Sequence, residues 1–444
     1  MKNFLKITFL FLLAVTFSSC EKDSVSEEIQ QEASHTSLVY IVADNNLDSY
    51  PKGDLKEMIA GYRDVQHSKN NTLLVYLDDF STPRLLKISR ENGQVVSKTI
   101  KEFPEQNSLD VAVMSGIINQ ALDMYVADSY GLTLWSHGNG WLPGTEQKKK
   151  VSTRSFGEDD NDGKSYKSTY MDILDLKRVL ATTPHLEYLV FDACNMQGIE
   201  VAYELRDLTN YIIASPVEVS AYGAPYQEMV PAFFSETHKP ENIAYAFFNQ
   251  YAQNFDYENN KGIKSHFSKA TVRDELDTSV YQYGAAVSVV SCRDLEELAL
   301  ATNTILKDLA DNGTGLSTRD VFNYDSNYYN YYFDLQSLMK TNSEEDSEAW
   351  NTWESAYETA VPLFLTTRTT YSSFVNYSYG GFLDMAEAHG ISTFIPLEQN
   401  FKQANRWRNY SEDNSFLHEE YEYYGNYYRN FQWYEAAGWD EVVE

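Results

Sequence analysis

Short, continuous apolar runs separated by helical stretches constrain the fold of this chain more than any other feature. The predicted strands lie at residues 37–43, 71–79, 131–136, 187–192 and 210–214. A strand that is apolar throughout is buried on both faces, and helices between such strands connect them in parallel. The pattern therefore predicts an α/β sandwich with a mostly parallel central sheet.

Two local signals add detail to this sheet. Residues 108–125 carry apolar side chains at helical spacing, among them Met114, Ile118 and Leu122, and so predict an amphipathic helix. Residues 85–100 indicate a β-hairpin that turns at Asn92 and Gly93, because Asn-Gly adopts the left-handed conformations of a two-residue turn.

The C-terminal part of the chain has a different character. At 444 residues the chain is too long for one ordinary domain. We expect a core domain over residues 37–280 and a helical region over 281–444 packed on it. That region contains two tyrosine-rich segments, at 323–335 and 421–434, and a predicted late strand at 389–397.

The N-terminus has the features of an export signal. Positive charge at Lys2 and Lys6 precedes an apolar run, residues 4–17, that is too short to span a bilayer comfortably. The run ends in Ser-Ser-Cys20, which resembles a bacterial lipoprotein signal over residues 1–20, with Cys20 carrying the lipid. Plain secretion after cleavage near Ser19 is the alternative. Residues 21–36, which include His35, are expected to be a flexible tether, so that the protein is exported and anchored to the cell envelope.

Charge and cysteine content narrow the partners. The formal net charge is −30, from 35 basic and 65 acidic side chains. Such a chain repels nucleic acid and anionic lipid surfaces, which disfavours both as partners. Beyond Cys20 only Cys194 and Cys292 remain, so disulfides do not staple the fold. A single disulfide between Cys194 and Cys292 is the one pairing that these residues allow. If the two cysteines are not paired, we expect Cys292 to be packed in the core.

A histidine and a cysteine follow two of the predicted strands. The stretch LTLWSHGNGW ends a strand with His137, and YLVFDACNM ends another with Cys194. Sites in open α/β sheets lie beyond the carboxyl ends of strands, so the imidazole and the thiol meet there if the strands are neighbours. The thiol would be the nucleophile, with the backbone amides of Gly138 and Cys194 as oxyanion donors. The alternatives are a small buried cysteine and a turn-capping histidine.

Asp192 adds a possible specificity element to this pair. Residues i and i+2 of a strand point to the same side, so its carboxylate is expected near Cys194. A carboxylate beside a thiol raises the pKa of the thiol and opposes its activation. The placement is explained if Asp192 belongs to a pocket for a cationic substrate side chain. A capping aspartate is the equally weighted alternative.

The motifs LWSHGNGW and VFDACNM together resemble the clostripain-like family of cysteine peptidases, and VYIVADNNLD (residues 39–48) and GISTFIP (residues 390–396) strengthen the resemblance. The resemblance implies a caspase-type α/β/α sandwich with His137 as catalytic histidine and Cys194 as nucleophile. It implies that Asp192 is the acidic specificity residue for cleavage after Arg or Lys, and that Glu218 lies on a second pocket-forming loop. A His/Cys dyad working through an acyl-enzyme needs no cofactor.

The polar segment at 142–170 joins the two catalytic motifs. Members of the resembled family are activated by cutting in this region, so a basic-specific peptidase could cut itself there, with Lys150 and Arg154 as candidates. Its alternative is a solvated loop. Residues 158–164, EDDNDGK, approach a calcium loop, but Glu158 opens it and Thr169 stands at its closing position, which disfavours an EF-hand. Some family members use calcium, so a looser Ca²⁺ site stays open.

Three functions are compatible with the sequence, and they differ in whether Cys194 is a catalytic residue. The first is an endopeptidase that takes peptide or protein substrates with Arg or Lys at the cleaved position. The second is a non-catalytic surface lipoprotein that binds peptide or glycan through its aromatic C-terminal region. A third keeps the peptidase fold without activity. Turnover of basic peptides that depends on Cys194 separates the first from the others.

Overall fold

The computed structural model describes residues 33–66, 70–143, 155–160, 168–255, 283–326, 330–375, 381–397 and 423–443. Three predicted sites, Cys20, Lys150 and Arg154, lie outside these residues, as do the predicted signal and most of the tether. None of the helices in the described ranges has both the length and the apolar character needed to cross a membrane.

The described residues form strands and helices in the following chain order. The strands are β1 Ala33–Val42, β2 Asn71–Asp78, β3 Arg84–Glu91, β4 Gln94–Glu102, β5 Ala127–Trp135, β6 Phe156–Asp159, β7 Thr169–Met171, β8 Tyr188–Asp192, β9 Tyr211–Ala214, β10 Ala286–Ser291, β11 Phe333–Asp334, β12 Leu363–Thr366, β13 Thr369–Ser372, β14 Gly381–Asp384 and β15 Ser392–Thr393. The α-helices are α1 Pro51–Gly61, α2 Val111–Met124, α3 Ile173–Leu180, α4 Ile199–Leu205, α5 Tyr226–Phe233, α6 Lys239–Asn254, α7 Leu295–Asp311, α8 Leu335–Thr341, α9 Glu348–Ala360 and α10 Gln432–Ala436.

One nine-stranded mixed sheet organises the molecule, in the order β12-β10-β9-β8-β5-β1-β2-β3-β4. The five central strands, from β9 to β2, are mutually parallel. Antiparallel pairs flank them, β10 and β12 on one side and β3 and β4 on the other. The predicted parallel core of the sheet is confirmed, and the hairpin turns at Asn92 and Gly93, both with positive φ.

Helical layers cover both faces of this sheet. Alternate residues of β1 separate the two sides: Leu38 and Tyr40 pack with α2, α3 and α4, whereas Val39 and Ile41 pack with α1, α5 and α6. Each central strand therefore buries both of its faces, which is why its sequence is apolar throughout.

The first strand begins at Ala33 rather than at residue 37. His35, which the sequence placed in the tether, is buried within β1, so that expectation is wrong. Its ring nitrogens lie 2.8 Å from Ser129 Oγ and 3.2 Å from Tyr188 Oη. Because β5 and, beyond it, β8 supply polar partners for His35, the polar start of β1 can continue the sheet.

The region beyond residue 280 shares the main sheet with the rest of the chain. It supplies β10 and β12, and helices α7 and α9 pack on the same core as α4. The predicted late strand shortens to β15, which pairs with β11 outside the main sheet. The amide of Phe394, just after β15, donates to the Glu200 carboxylate instead of to a strand.

Six of the eight described tyrosines in the two aromatic segments are buried inside the protein. Tyr331, Tyr332, Tyr424 and Tyr428 are each at most 2% exposed. Tyr331, Tyr424 and Tyr428 surround Trp141, whose ring centroid lies 5.3 Å from that of Tyr428. Burial at these four positions leaves none of these rings exposed to stack on a glycan.

Candidate active site

The two motifs that carry His137 and Cys194, the predicted catalytic residues, end neighbouring strands at the same edge of the sheet. β5 and β8 run parallel, and Trp135 pairs with Asp192 in register. His137 and Cys194 each follow two residues later, where both strands have just ended. An alanine Cβ built at Gly138 would lie 2.6 Å from the carbonyl oxygen of Cys194. The turn that carries the histidine therefore touches the turn that carries the thiol.

Glycines in the HGNG turn make this approach possible. At Gly140, which has a φ of 60°, a Cβ would lie 2.6 Å from the carbonyl oxygen of Asn195. The other side of the turn pairs with β6, through Gly157 N to His137 O at 2.8 Å and Asn139 N to Ser155 O at 2.9 Å. Neither of these bonds uses the amide of Gly138, the predicted oxyanion donor.

Two side chains from other loops orient the His137 imidazole. Its Nε2 lies 2.6 Å from Asn46 Oδ1 and 3.6 Å from Glu158 Oε2. Donation of the Nε2 proton to Asn46 fixes the tautomer in which Nδ1 is the basic nitrogen. Sequence reasoning missed both partners as members of the site. Asn46 was visible only as part of the ADNNLD turn after β1, and Glu158 was weighed as a calcium ligand.

The Cys194 thiol is partly exposed and contacts a loop that follows β9. Its Sγ lies 3.3 Å from the amide nitrogen of Val219 and 3.5 Å from the carbonyl oxygen of the same residue. An N–H donated to sulfur stabilises the thiolate. The helix that follows, α4, begins only at Ile199, so Cys194 does not lie at a helix N-terminus. The Val219 amide is a donor within reach of Sγ that can stabilise the thiolate.

Cys292 differs from Cys194 in every relevant respect. The two cysteines are not joined by a disulfide, and Cys292 is buried at the end of β10. Desolvation raises the pKa of its thiol well above the ordinary value. A buried thiol with a raised pKa is inert, so the prediction of a packed Cys292 is consistent with the structure.

Asp192 lies beneath the Cys194 turn and is 3% exposed. Its carboxylate accepts the Ala224 amide at 3.0 Å and the Tyr226 hydroxyl at 3.0 Å. Burial raises its pKa to about 6, and these two hydrogen bonds oppose the rise. A Cβ at Gly223 would lie 2.7 Å from Asp192 Oδ2, so the loop after β9 closes directly over the carboxylate.

Glu218 lies on the same loop, next to the Val219 that contacts Cys194. Its carboxylate accepts hydrogen bonds from the amide and, at 2.6 Å, from the hydroxyl of Ser373. Burial raises its pKa, and the bonds to Ser373 act in the opposite direction. The structure thus brings Glu218 to the site but directs its charge toward the segment after β13.

The C-terminal region braces the catalytic turn. The Tyr332 hydroxyl donates to the carbonyl oxygen of Asn139 at 2.9 Å, and the Trp141 indole donates to the carbonyl oxygen of Tyr331 at 3.2 Å. Tyr332 Cε1 would lie 3.5 Å from a Cβ at Gly140. Residues nearly two hundred positions apart therefore fix the backbone on which His137 sits.

With this geometry in place, comparison with known proteins identifies the family. Residues 39–444 match the clostripain family, Peptidase_C11. The chain belongs to the clostripain family. The cysteine-peptidase family and the caspase-like fold predicted from the sequence are thereby confirmed.

Individual relatives support this membership. Clostripain from Hathewaya histolytica is 28% identical over 216 residues, which are 42% of this chain and 40% of clostripain, so the chain spans under half of that relative's length. A secreted C11 cysteine protease from Bacteroides thetaiotaomicron, solved with an irreversible peptide inhibitor, is 33% identical with a TM-score of 0.74, covering 92% of this chain and 100% of that chain. An inactive zymogen C11 protease from Parabacteroides distasonis is 25% identical with a TM-score of 0.67, covering 93% of this chain and 99% of that chain.

The described residues of this clostripain-family chain do not fit a calcium site. Glu158 faces His137 and accepts the Tyr170 hydroxyl at 3.1 Å, whereas Asp160 accepts the Ser168 hydroxyl. Residues 161–167 of the candidate loop lie outside the described ranges. Within those ranges, no three His, Cys, Asp or Glu side chains are arranged to hold a metal ion.

Proposed function

We propose that this chain is a cysteine endopeptidase that cleaves after Arg or Lys, with Cys194 as nucleophile and His137 as general acid and base. The observation that carries the proposal is the contact between the HGNG turn and the Cys194 turn at one edge of the sheet. Such a pair, with backbone amides beside it, supports acyl transfer without a cofactor.

The steps follow from the positions of the groups. Sγ of Cys194 attacks the carbonyl carbon of the scissile bond, while the amides of Gly138 and Cys194 hold the oxyanion. His137 Nδ1 takes up the thiol proton and delivers it to the departing amine. The same nitrogen then activates a water molecule that releases the acyl group from sulfur. Asn46 keeps the ring in the tautomer that these transfers require.

Specificity for basic residues is proposed to come from Asp192. A buried carboxylate with a pKa of about 6 is ionised at neutral pH and attracts a cationic side chain. Because Gly223 and Ala224 close over it, entry of the substrate requires the loop after β9 to move. Glu218 lies on that loop and would stabilise a particular position of it through Ser373.

Fluorogenic peptides ending in Arg, Lys, Leu or Asp test this proposal, each assayed with wild-type protein and with Cys194→Ala. We expect turnover of the Arg and Lys peptides alone, and none with Cys194→Ala. Equal turnover of the Leu or Asp peptides would refute the basic specificity. Turnover that survives in Cys194→Ala would refute the nucleophile.

Self-processing is proposed for the segment at 142–170, at Lys150 or Arg154. The support is its position: Ser155, which follows Arg154 directly, accepts the amide of Asn139 in the catalytic turn. A cut there would place a new terminus beside the active site. The similarity to a protease described as an inactive zymogen agrees with activation by cutting.

N-terminal sequencing after incubation tests the processing proposal. We expect new termini after Lys150 or Arg154 in wild-type protein, intact Cys194→Ala, and slower cutting in the double variant Lys150→Gln and Arg154→Gln. An active wild-type enzyme that remains a single chain would show that self-cutting is not required.

Lipid attachment at Cys20 is proposed to hold the enzyme at the cell envelope. The twelve residues between Cys20 and β1 can span at most about 40 Å, so the catalytic unit would stay near the membrane surface. Labelling of cells with an alkyne fatty acid tests this directly. Wild-type protein should carry the label and Cys20→Ser should lose it, whereas label retained in Cys20→Ser would contradict the assignment.

A further inference from the structure

A second buried carboxyl group lies next to Asp192 and has no role in the chemistry above. It belongs to Asp54 on α1, which is 5% exposed. The Trp135 side chain hydrogen-bonds this carboxyl group. Oδ2 has no hydrogen-bond partner among the residues that the structure describes. An orphaned carboxyl oxygen inside a protein is costly and needs an explanation.

The sheet register places the two carboxyl groups on the same face. Trp135, the hydrogen-bond partner of Asp54, is the parallel-strand partner of Asp192. Laterally paired residues of parallel strands point to one side of the sheet. On that side, Trp135 packs in the core formed by α1, α5 and α6.

Contacts between α1 and α5 complete the surroundings of the pair. Glu57, one helical turn beyond Asp54, accepts the amide of Tyr226 at 2.9 Å. The Tyr226 hydroxyl donates to Asp192 at 3.0 Å. The titratable groups facing Asp54 are therefore Asp192 from β8, Glu57 from α1 and Tyr226 from α5. No cationic side chain is among these groups.

Two carboxyl groups in such a site cannot both ionise without a counterion. Burial, followed by the charges of Asp192 and Glu57, raises the pKa of Asp54 well above its usual value. Burial raises the pKa of Asp192 to about 6. At neutral pH the empty pair therefore carries one negative charge on Asp192 and one proton on Asp54.

We propose that Asp54 is the hidden second acid of the specificity pocket, and that entry of a basic substrate side chain drives its proton into solution. The inference rests on the proposed cleavage after basic residues. Asp54 acts through Asp192 as a positioning residue: its ionisation doubles the negative charge beneath the incoming cation. A neutral side chain gives no such gain, so the pair selects against it.

A ratio of two substrates isolates this effect from the catalytic groups. Peptides that end in Arg or in citrulline have nearly the same shape, and only Arg is charged. When kcat/KM for the Arg peptide is divided by kcat/KM for the citrulline peptide, the pH dependence that arises from His137 and Cys194 cancels. What remains reports the ionisation of the pocket acids, measured from pH 5 to 9.

In wild-type protein we expect the Arg-to-citrulline ratio to rise from pH 5 and to keep rising above pH 7, as the second proton becomes easier to expel. In Asp54→Asn the Arg-to-citrulline ratio should level off just above pH 6. At pH 8 it should be about 10-fold below the wild-type ratio, mainly because KM for the Arg peptide is higher. Asp192→Asn should reduce the ratio to near one. Trp135→Phe removes the donor to Asp54 and keeps both acids, so its ratio should still rise above pH 7, with the rise displaced to higher pH because the lost hydrogen bond favoured the ionised acid.

Each contrary result has a distinct meaning. If Asp54→Asn follows the wild-type profile, the inference is overturned while the proposed function stands. If the ratio in Trp135→Phe levels off just above pH 6 and stays level up to pH 9, as in Asp54→Asn, Asp54 merely anchors the indole and the inference fails. If wild-type protein does not prefer Arg to citrulline, basic specificity is refuted and the inference falls with it.

A measurement on wild-type protein guards against a variant that does not fold. A peptide arginine aldehyde and the matching citrulline aldehyde form the same adduct with the thiol. At pH 7.5 in a weakly buffered indicator solution, the arginine aldehyde should release about one proton more per site. Equal proton release from the two aldehydes would overturn the inference.

Discussion

At the scale of single residues, the proposed catalytic histidine, His137, contacts groups that no strand-end motif contains. His137 and Cys194 are marked by their positions after apolar strands, but Asn46 comes from the turn after β1 and Glu158 from β6. Asn46 reaches the imidazole because β1 and β5 are neighbours in the sheet, and Glu158 reaches it because β6 pairs with the HGNG turn. Their role is to orient the ring and to fix its tautomer.

Replacement of Asn46 by Ala should therefore slow the chemistry more than the binding. We expect kcat to fall about 10-fold to 100-fold with KM within about 2-fold of wild type, because a misoriented base loses part of the roughly 100-fold to 10,000-fold contribution of general acid–base catalysis. Steady-state kinetics with the Arg peptide measures both constants. An unchanged kcat would show that Asn46 does not position His137.

Substitution of Gly138 by Ala should abolish activity. The added Cβ would lie 2.6 Å from the Cys194 carbonyl oxygen and 2.9 Å from Ala193 Cβ, so the two catalytic turns must separate. We expect kcat/KM to fall at least about 100-fold, since misplacement by about 1 Å has that effect. Gly116→Ala, on α2 with nothing within 4 Å of the new Cβ, is the matched control and should stay active. An active Gly138→Ala enzyme would contradict the close contact.

At the scale of elements, the sheet is predictable from sequence wherever strands are buried on both faces. The central strands and the β3–β4 hairpin were readable from continuous apolar runs and from Asn92-Gly93. The start of β1 was not, because His35 is polar and its partners Ser129 and Tyr188 lie far away in the chain. The late strand was overestimated since the Phe394 amide bonds to Glu200 rather than to a neighbouring strand.

The candidate site shows the same division. Cys194, His137 and Asp192 precede or follow strand ends and so carry a local signal. Asn46 and Asp54 carry none, because their roles arise from contacts between α1, the turn before it and strands distant in sequence. Only the fold brings these groups together.

The tyrosine-rich elements are expected to support the catalytic turn. Tyr332→Phe removes the hydrogen bond to the carbonyl oxygen of Asn139 and keeps the packed ring. We expect a several-fold loss of kcat and a decrease of about 1 kcal/mol in the free energy of unfolding. Tyr357→Phe loses a comparable bond, to the His389 carbonyl oxygen, and should lower stability without lowering kcat. If Tyr332→Phe and Tyr357→Phe have the same kcat, Tyr332 does not support the turn.

At the scale of the whole molecule, buried acids couple stability to pH. Glu200 on α4 holds the C-terminal region: its Oε1 accepts the Phe394 amide at 2.7 Å, the Thr393 hydroxyl at 2.9 Å and the Tyr428 hydroxyl at 3.0 Å. Burial raises its pKa to about 7, against the opposing effect of these hydrogen bonds. The folded state therefore holds the Glu200 proton more tightly than the unfolded state does.

The sign of this coupling gives a stability prediction. Between about pH 4.5 and 7 the folded state binds more protons than the unfolded state, so the free energy of unfolding falls as pH rises through that window. The contribution of Glu200 to that fall is roughly 3 kcal/mol at most. Glu200→Gln cannot ionise and should show a flatter decline between pH 5 and 8 in urea unfolding. Parallel profiles of the variant and wild type would contradict the assignment.

Covalent labelling tests the central claim, that His137 and Cys194 form one reactive site for basic substrates. A peptide arginine chloromethyl ketone is incubated with wild-type protein, and the modified residue is located by peptide mapping. We predict one adduct per chain, at Cys194, formed much faster than with the leucine analogue and nearly lost in His137→Ala. Modification at another residue, or equal rates in wild type and His137→Ala, would contradict the account.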